Sequence, residues 1–237
     1  MDVDVELVTE FPKIALAVFA HPDCPIVNCG GTVAGWARAG TEVHLVVCSR
    51  GELGGNDVEA SNDEVAERRA TQLQRSGEML GLTSVEILDF PDGHMENSLD
   101  LRQAIVTAVR RRRPDAFLFH DPTAVFYGDR YVSHPDHRAV GWAALDAVGS
   151  PSSGPRYFPD LGGPHRVDDV YLCGSLEPDA FVDIGSVVDV KAEALRAHAD
   201  ETDDSAWIDD AVRSRALEAG AVAGVGHAEG FRRLRLG

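Results

Sequence analysis

Ile14-Ala-Leu-Ala-Val-Phe-Ala20, running directly into His21-Pro22-Asp23-Cys24-Pro25, is the stretch whose reading decides the fold. Seven unbroken apolar residues are too few to span a bilayer. Their continuity, without alternation, predicts a strand buried on both faces, as in the middle of a parallel sheet. The chain then emits an imidazole, a carboxylate and a thiol within four residues. Gly30-Gly31-Thr32 follows, and a helix is expected from near Asn28 to Ala39, with Gly40 as its left-handed stop. In open α/β sheets the corners at the carboxyl ends of strands collect function, and this corner is rich in chemistry.

Working outward, further strands are expected at 43–48, 85–90, 116–119, 167–173 and 180–184. Helices are expected from Ser61 to Leu80, from Asn97 or Ser98 to about Arg113, and over 137–148, 186–199 and 205–223. Ser61 and Glu64 have capping-box spacing. Strands alternating with helices indicate an α/β fold, a Rossmann-like three-layer sandwich with a mostly parallel central sheet. The whole chain, 1–237, reads as one domain. The polar clusters His21 to Cys24, Arg50-Gly51-Glu52, Pro91-Asp92-Gly93 and His120-Asp121 each follow an expected strand, so they fall on one edge.

The totals exclude several classes. With 44% hydrophobic and 26% charged residues the chain is an ordinary globule. Its net charge of -17 argues against nucleic acid or an anionic membrane as the main partner. The basic run Arg110 to Arg113 fits a helix end before Pro114. The acidic start Met1-Asp2-Val3-Asp4 is unlike a signal peptide, so a cytoplasmic location is expected. Four cysteines show no CxxC pair, and Cys48 and Cys173 read as buried fillers. Gly30-Gly31 does not match GxGxxG, and neither a P-loop nor a GxSxG pattern occurs.

A second stretch, Ser133-His134-Pro135-Asp136-His137, answers the first. Imidazole suits zinc, and a catalytic zinc takes three protein ligands and leaves a position open. His21 and His137 are the ligand candidates, with the third from Asp23 or Cys24. Whichever does not bind can move protons for an activated water, and His134 or His137 can face a developing oxyanion. Arg50 and Glu52 are placed to orient a substrate. Asp92 is either a substrate contact or a turn former, since Pro-Asp-Gly is good turn chemistry. His120 and Asp121 are expected behind a ligand histidine.

These motifs resemble those of the LmbE-like or PIG-L deacetylases, zinc enzymes that remove acetyl or larger acyl groups from amines. The resemblance rests on Ala20-His21-Pro22-Asp23, Gly30-Gly31-Thr32, the intact His134-Pro135-Asp136-His137, Arg50-Gly51-Glu52, Pro91-Asp92-Gly93, His120-Asp121-Pro122 and the run Ala194 to His198. It implies His21 and His137 as zinc ligands (zinc or another divalent metal), Asp23 as general base and His134 as oxyanion stabiliser or acid. It also implies a pocket-facing Arg69, a small N-acylated substrate such as an amino sugar, glycoside or thiol conjugate, and association into homo-oligomers. The family's third ligand is an aspartate, and here that position is Cys24. A thiolate has the carboxylate's charge and is an excellent zinc ligand. The rival readings are a site altered away from hydrolysis, and an enzyme with Cys24 as nucleophile.

Overall fold

The computed structural model describes residues 5–55, 57–199 and 206–237. The apolar run forms β2 (Ile14–Phe19), buried almost throughout. It lies between β3 (Glu42–Val47) and β5 (Ala116–His120), parallel to both. Outside β3 runs β4 (Ser84–Ile87), and outside β5 runs β8 (Asp169–Cys173), again in parallel. The chain thus builds outward from β2 through β3 to β4, then returns to the other side at β5. That reversal is the switch point where α/β sheets bind ligands.

Two strands of this sheet went unforeseen. β10 (Ala228–Arg235) pairs antiparallel with both β8 and β9 (Ala180–Asp183), and β1 (Glu6–Leu7) adds to β9, giving the order β1-β9-β10-β8-β5-β2-β3-β4. The sheet is therefore mostly parallel with one antiparallel insertion.

Helices cover both faces, as the alternation of elements requires. One apolar core holds α1 (Cys24–Arg38), α2 (Asn62–Leu80), α6 (Val188–Arg196) and α7 (Ala206–Ala223) against the sheet, around Trp36, Leu73 and Ile208. The other holds α3 (Leu99–Arg112) and α4 (Pro135–Val148), around Leu101, Ile105 and Val140. The expected stops and caps are present. Ser61 and Glu64 form the capping box, Gly81 ends α2 at φ 74, and Ser98 caps α3.

Two helices start earlier than expected. α1 begins at Cys24 rather than near Asn28, with Pro25 in its first turn, and α4 begins at Pro135. Proline tolerates a first turn because its missing N–H has no partner there. The basic run does end a helix before Pro114, but Arg110 is buried. Its guanidinium donates to the carbonyls of Pro151, Ser152, Gly154, Tyr157, Phe158 and Gly162. One side chain thereby fixes the Pro/Gly-rich loop, which includes the single turn α5 (Ser150–Ser153). The loop after β5 carries an unforeseen hairpin, β6 (Phe126–Tyr127) with β7 (Tyr131–Val132). Among the described residues no helix is long and apolar enough to cross a membrane.

Candidate functional site

His21 leaves the carboxyl end of β2, and His137 lies in the first turn of α4. His21 Nδ1 is 3.1 Å from His137 Nε2 and 3.5 Å from Cys24 Sγ, and Cys24 Sγ is 3.2 Å from His137 Nε2. Three donor atoms of the preferred kinds therefore converge on one point. Bonds of about 2.0–2.3 Å at tetrahedral angles imply donor separations of roughly 3.3–3.6 Å, so the trio fits a zinc-like ion with small adjustment.

The far side of His21 fixes its tautomer. Nε2 is 3.0 Å from Asp92 Oδ1 and 3.2 Å from Asp136 Oδ2, both acceptors, so Nε2 bears the proton and Nδ1 faces Cys24 and His137. This is the carboxylate–histidine arrangement that orients a metal ligand. Burial works to lower the His21 pKa, but the hydrogen bonds to Asp136 and Asp92, with Cys24 beside it, outweigh burial and push it up to about 12. The cluster favours a positive charge at the place where the three donors meet. His137 is the opposite case: burial and the neighbouring His21 push it down to about 4, which leaves a neutral imidazole.

Asp136 is fully buried and also accepts from the amides of Gly93 and Met95 at 2.7 and 3.1 Å. Asp92 is spent in the same way. Its second oxygen accepts from Leu53 N at 2.9 Å, and the residue is only 5% exposed. The substrate contact considered for Asp92 gives way to a role behind His21, because neither oxygen faces open space. Glu52, considered for the same task, accepts from Asp92 N at 2.9 Å and so holds the Pro91-Asp92-Gly93 turn. Arg50 lies 3.9 Å from the exposed Asp63 and is the least constrained member of that group.

Asp23 sits at the N-cap of α1 with a side chain 41% exposed. Arg69 donates to its Oδ1 at 2.9 Å and to Gly51 O at 3.0 Å. A Cβ on Gly51 or Gly54 would meet the Arg69 guanidinium at 2.8 or 1.9 Å, so these two glycines let the loop wrap that arginine. His134 is the N-cap of α4; its Nδ1 accepts from Asp136 N at 3.2 Å, which leaves Nε2–H as a donor. Burial, then His21, lower its pKa, so it is a neutral donor at pH 7.

His120 backs the site by stacking on His137, with centroids 4.2 Å apart, and its Nε2 accepts from Ala20 N. Asp121 instead caps its own turn through Thr123. His198 is half-buried near Asp23 and Arg69: its Nε2 is 2.8 Å from Ser76 Oγ, and Nδ1 has no partner. An open cleft of about 1260 Å³ leads from His137 past Asn28, Tyr127, Tyr131 and Ser175 toward Arg215. Burial, followed by Asp23, pushes the Cys24 thiol up, and the residue is 5% exposed. A nucleophilic cysteine requires the reverse on both counts.

Residues 16–148 match the family model described as PIG-L, GlcNAc-PI de-N-acetylase. The chain belongs to the PIG-L family. It is 32% identical over 225 residues to diacetylchitobiose deacetylase of Thermococcus kodakarensis, covering 93% of this chain and 82% of that protein. The structure of N,N'-diacetylchitobiose deacetylase from Pyrococcus horikoshii, in complex with an inhibitor, superposes with a TM-score of 0.86 at 27% identity, covering 94% of this chain and 84% of that one. GalB, the 4-carboxy-2-hydroxymuconate hydratase of Pseudomonas putida KT2440, superposes at 0.77 with 26% identity, covering 94% and 96%. The similar proteins thus include deacetylases, which are hydrolases of amide bonds, and a hydratase on the same scaffold. The PIG-L motifs at His21, His134 and His137 gather in one cluster. The place of Asp136 behind His21 was legible only after folding.

Proposed function

We propose that this protein is a zinc-dependent deacetylase of a small N-acetylated amino sugar or related N-acylated glycoside, working in the cytoplasm as one domain over residues 1–237. The observation that carries the reading is the convergence of His21 Nδ1, Cys24 Sγ and His137 Nε2 within 3.5 Å, beside an accessible carboxylate and a neutral histidine donor. Relatives named for acetylated sugars supply the substrate class. Four free cysteines suit a reducing compartment.

Zinc held by His21, Cys24 and His137 would supply Lewis acidity, making water a nucleophile near neutral pH and polarising the acyl oxygen. Asp23, oriented by Arg69, accepts the proton of the attacking water and returns it to the leaving amine. His134 Nε2–H donates to the oxygen that becomes negative during attack. Asp92 and Asp136 keep the Nε2 proton on His21 and so keep Nδ1 turned to the site. The hairpin residues Tyr127 and Tyr131 line the open cleft through which a substrate would reach the site.

The test is acetate release from N,N'-diacetylchitobiose and N-acetylglucosamine by metal-replete protein. Turnover of either is expected, and Cys24→Asp should retain it. Release from neither would overturn the amidohydrolase reading and turn attention to hydration of an unsaturated acid. Loss of all turnover in a metal-loaded Cys24→Asp variant would restore the nucleophile reading.

A further inference from the structure

Helix α1, which opens with Cys24, is broken in the middle. Cys29 leaves helical space at φ -146 and ψ 18. In an unbroken helix the Val27 carbonyl would accept from the Gly31 amide. Here both groups are taken by side chains from the far end of the chain. Val27 O accepts from Lys191 Nζ at 2.9 Å, and Gly31 N donates to Glu229 Oε1 at 2.9 Å. Thr32 N donates to Glu229 Oε2 at 2.7 Å, and Lys191 Nζ meets Glu229 Oε1 at 2.6 Å. An ion pair from α6 and β10 is thus inserted into the hydrogen-bond ladder of α1.

The insertion is built rather than incidental. The two side chains are only 9% and 6% exposed. A Cβ on Gly31 would lie 2.8 Å from the Ile184 side chain, and one on Gly30 would lie 3.4 Å from Lys191 Cγ. Gly31 therefore admits the Ile184 side chain, just before α6, and the Lys191 stem packs against Gly30. Beyond the break, the turn from Cys24 to Asn28 is closed on itself, with Asn28 Nδ2 donating to Cys24 O at 2.8 Å. A buried ion pair is weak evidence for stability, so its value lies in the geometry it imposes.

We propose that Lys191 and Glu229 are positioning residues for Cys24: wedged into α1, they set the tilt of its first turn and aim the thiolate at the point where His21 and His137 meet. This rests on Cys24 as a metal ligand, as read above. Neither residue touches the metal donors, and the effect passes through the backbone of residues 24–31.

The test is Co(II) titration of the full chain, read by affinity and by the sulfur-to-cobalt absorption band. Wild type should show the band, and Cys24→Asp should lack it. Glu229→Gln should weaken Co(II) affinity by about 10- to 100-fold and diminish the band. Val212→Ala, a core change on α7, should lower the melting temperature and leave affinity and band intact. Glu229→Gln that binds Co(II) as tightly as wild type, with the full band, overturns the proposal. A wild type without the band overturns the ligand reading and the proposal with it, a result distinct from the first. If Glu229→Gln does not fold, amide exchange in wild type decides. Coupling is reciprocal, so metal loading should slow exchange at Gly31 and Thr32; unchanged exchange at both overturns the proposal.

Discussion

The two His-Pro-Asp corners have one tripeptide and opposite uses for it. At the end of β2, His21 is buried and held by two carboxylates, while Asp23 stands 41% exposed against Arg69. At the start of α4, His134 is the partly open member and Asp136 is fully buried. The corners also interlock, since Asp136 of the second holds His21 of the first. Side-chain identity alone does not assign the task; the direction in which each backbone corner delivers the side chain does. In the proposed reading one corner exposes an acid for proton transfer and the other a histidine for the oxyanion; the first buries His21 as a metal donor, and the second buries Asp136 behind it.

Exchanging a charged acid for its amide at the two corners should therefore give different failures. Asp23→Asn should lower kcat by about 10²–10⁴-fold with metal content unchanged, measured by acetate release and metal analysis. A kcat near that of wild type would remove Asp23 from the base role. Asp136→Asn should act first on the metal, weakening affinity about 10- to 100-fold, because it removes the charge behind His21 and one of the two oxygens that accept from His21, Gly93 and Met95. Equal metal affinity in the two variants would erase the distinction between the corners.

The smallest expected effect concerns His198, which lies outside both corners. Burial pushes it down to about 4, with Asp23 partly opposing. The folded pKa is below the unfolded value of about 6.5, so the unfolded chain binds more protons between those limits. The contribution is present above pH 6.5 and is lost as the pH falls toward 4, by on the order of 3 kcal/mol. His198→Gln should flatten that part of the acid limb in metal-free thermal melts. An acid limb as steep as that of wild type would show that His198 is protonated freely in the fold.

The sequence made the middle of this picture legible and left its edges dark, for physical reasons. β2 announces itself because a strand buried on both faces must be apolar throughout, and the corners follow from where it ends. The donors His21, Cys24 and His137 share a recognisable chemistry, so their gathering could be anticipated although 113 or more residues separate His137 from the other two. β10 was hidden because Ala-Glu-Gly-Phe-Arg-Arg-Leu-Arg reads as a polar tail, its arginines being paired instead with Glu6 and Asp169. Asp92 was ambiguous because a turn-forming aspartate and a ligand-orienting one look alike until His21 is seen beside it. The break in α1 depends on Lys191 and Glu229, whose pairing exists only once α6 and β10 are in place.

The central claim is that residue 24 binds the metal through sulfur together with the two histidines. X-ray absorption at the zinc edge of the metal-loaded protein tests it most directly. The account predicts one sulfur scatterer at about 2.3 Å and nitrogen or oxygen neighbours at about 2.0–2.1 Å, with the sulfur lost in Cys24→Asp. A spectrum fitted by nitrogen and oxygen alone in the wild-type protein would contradict it.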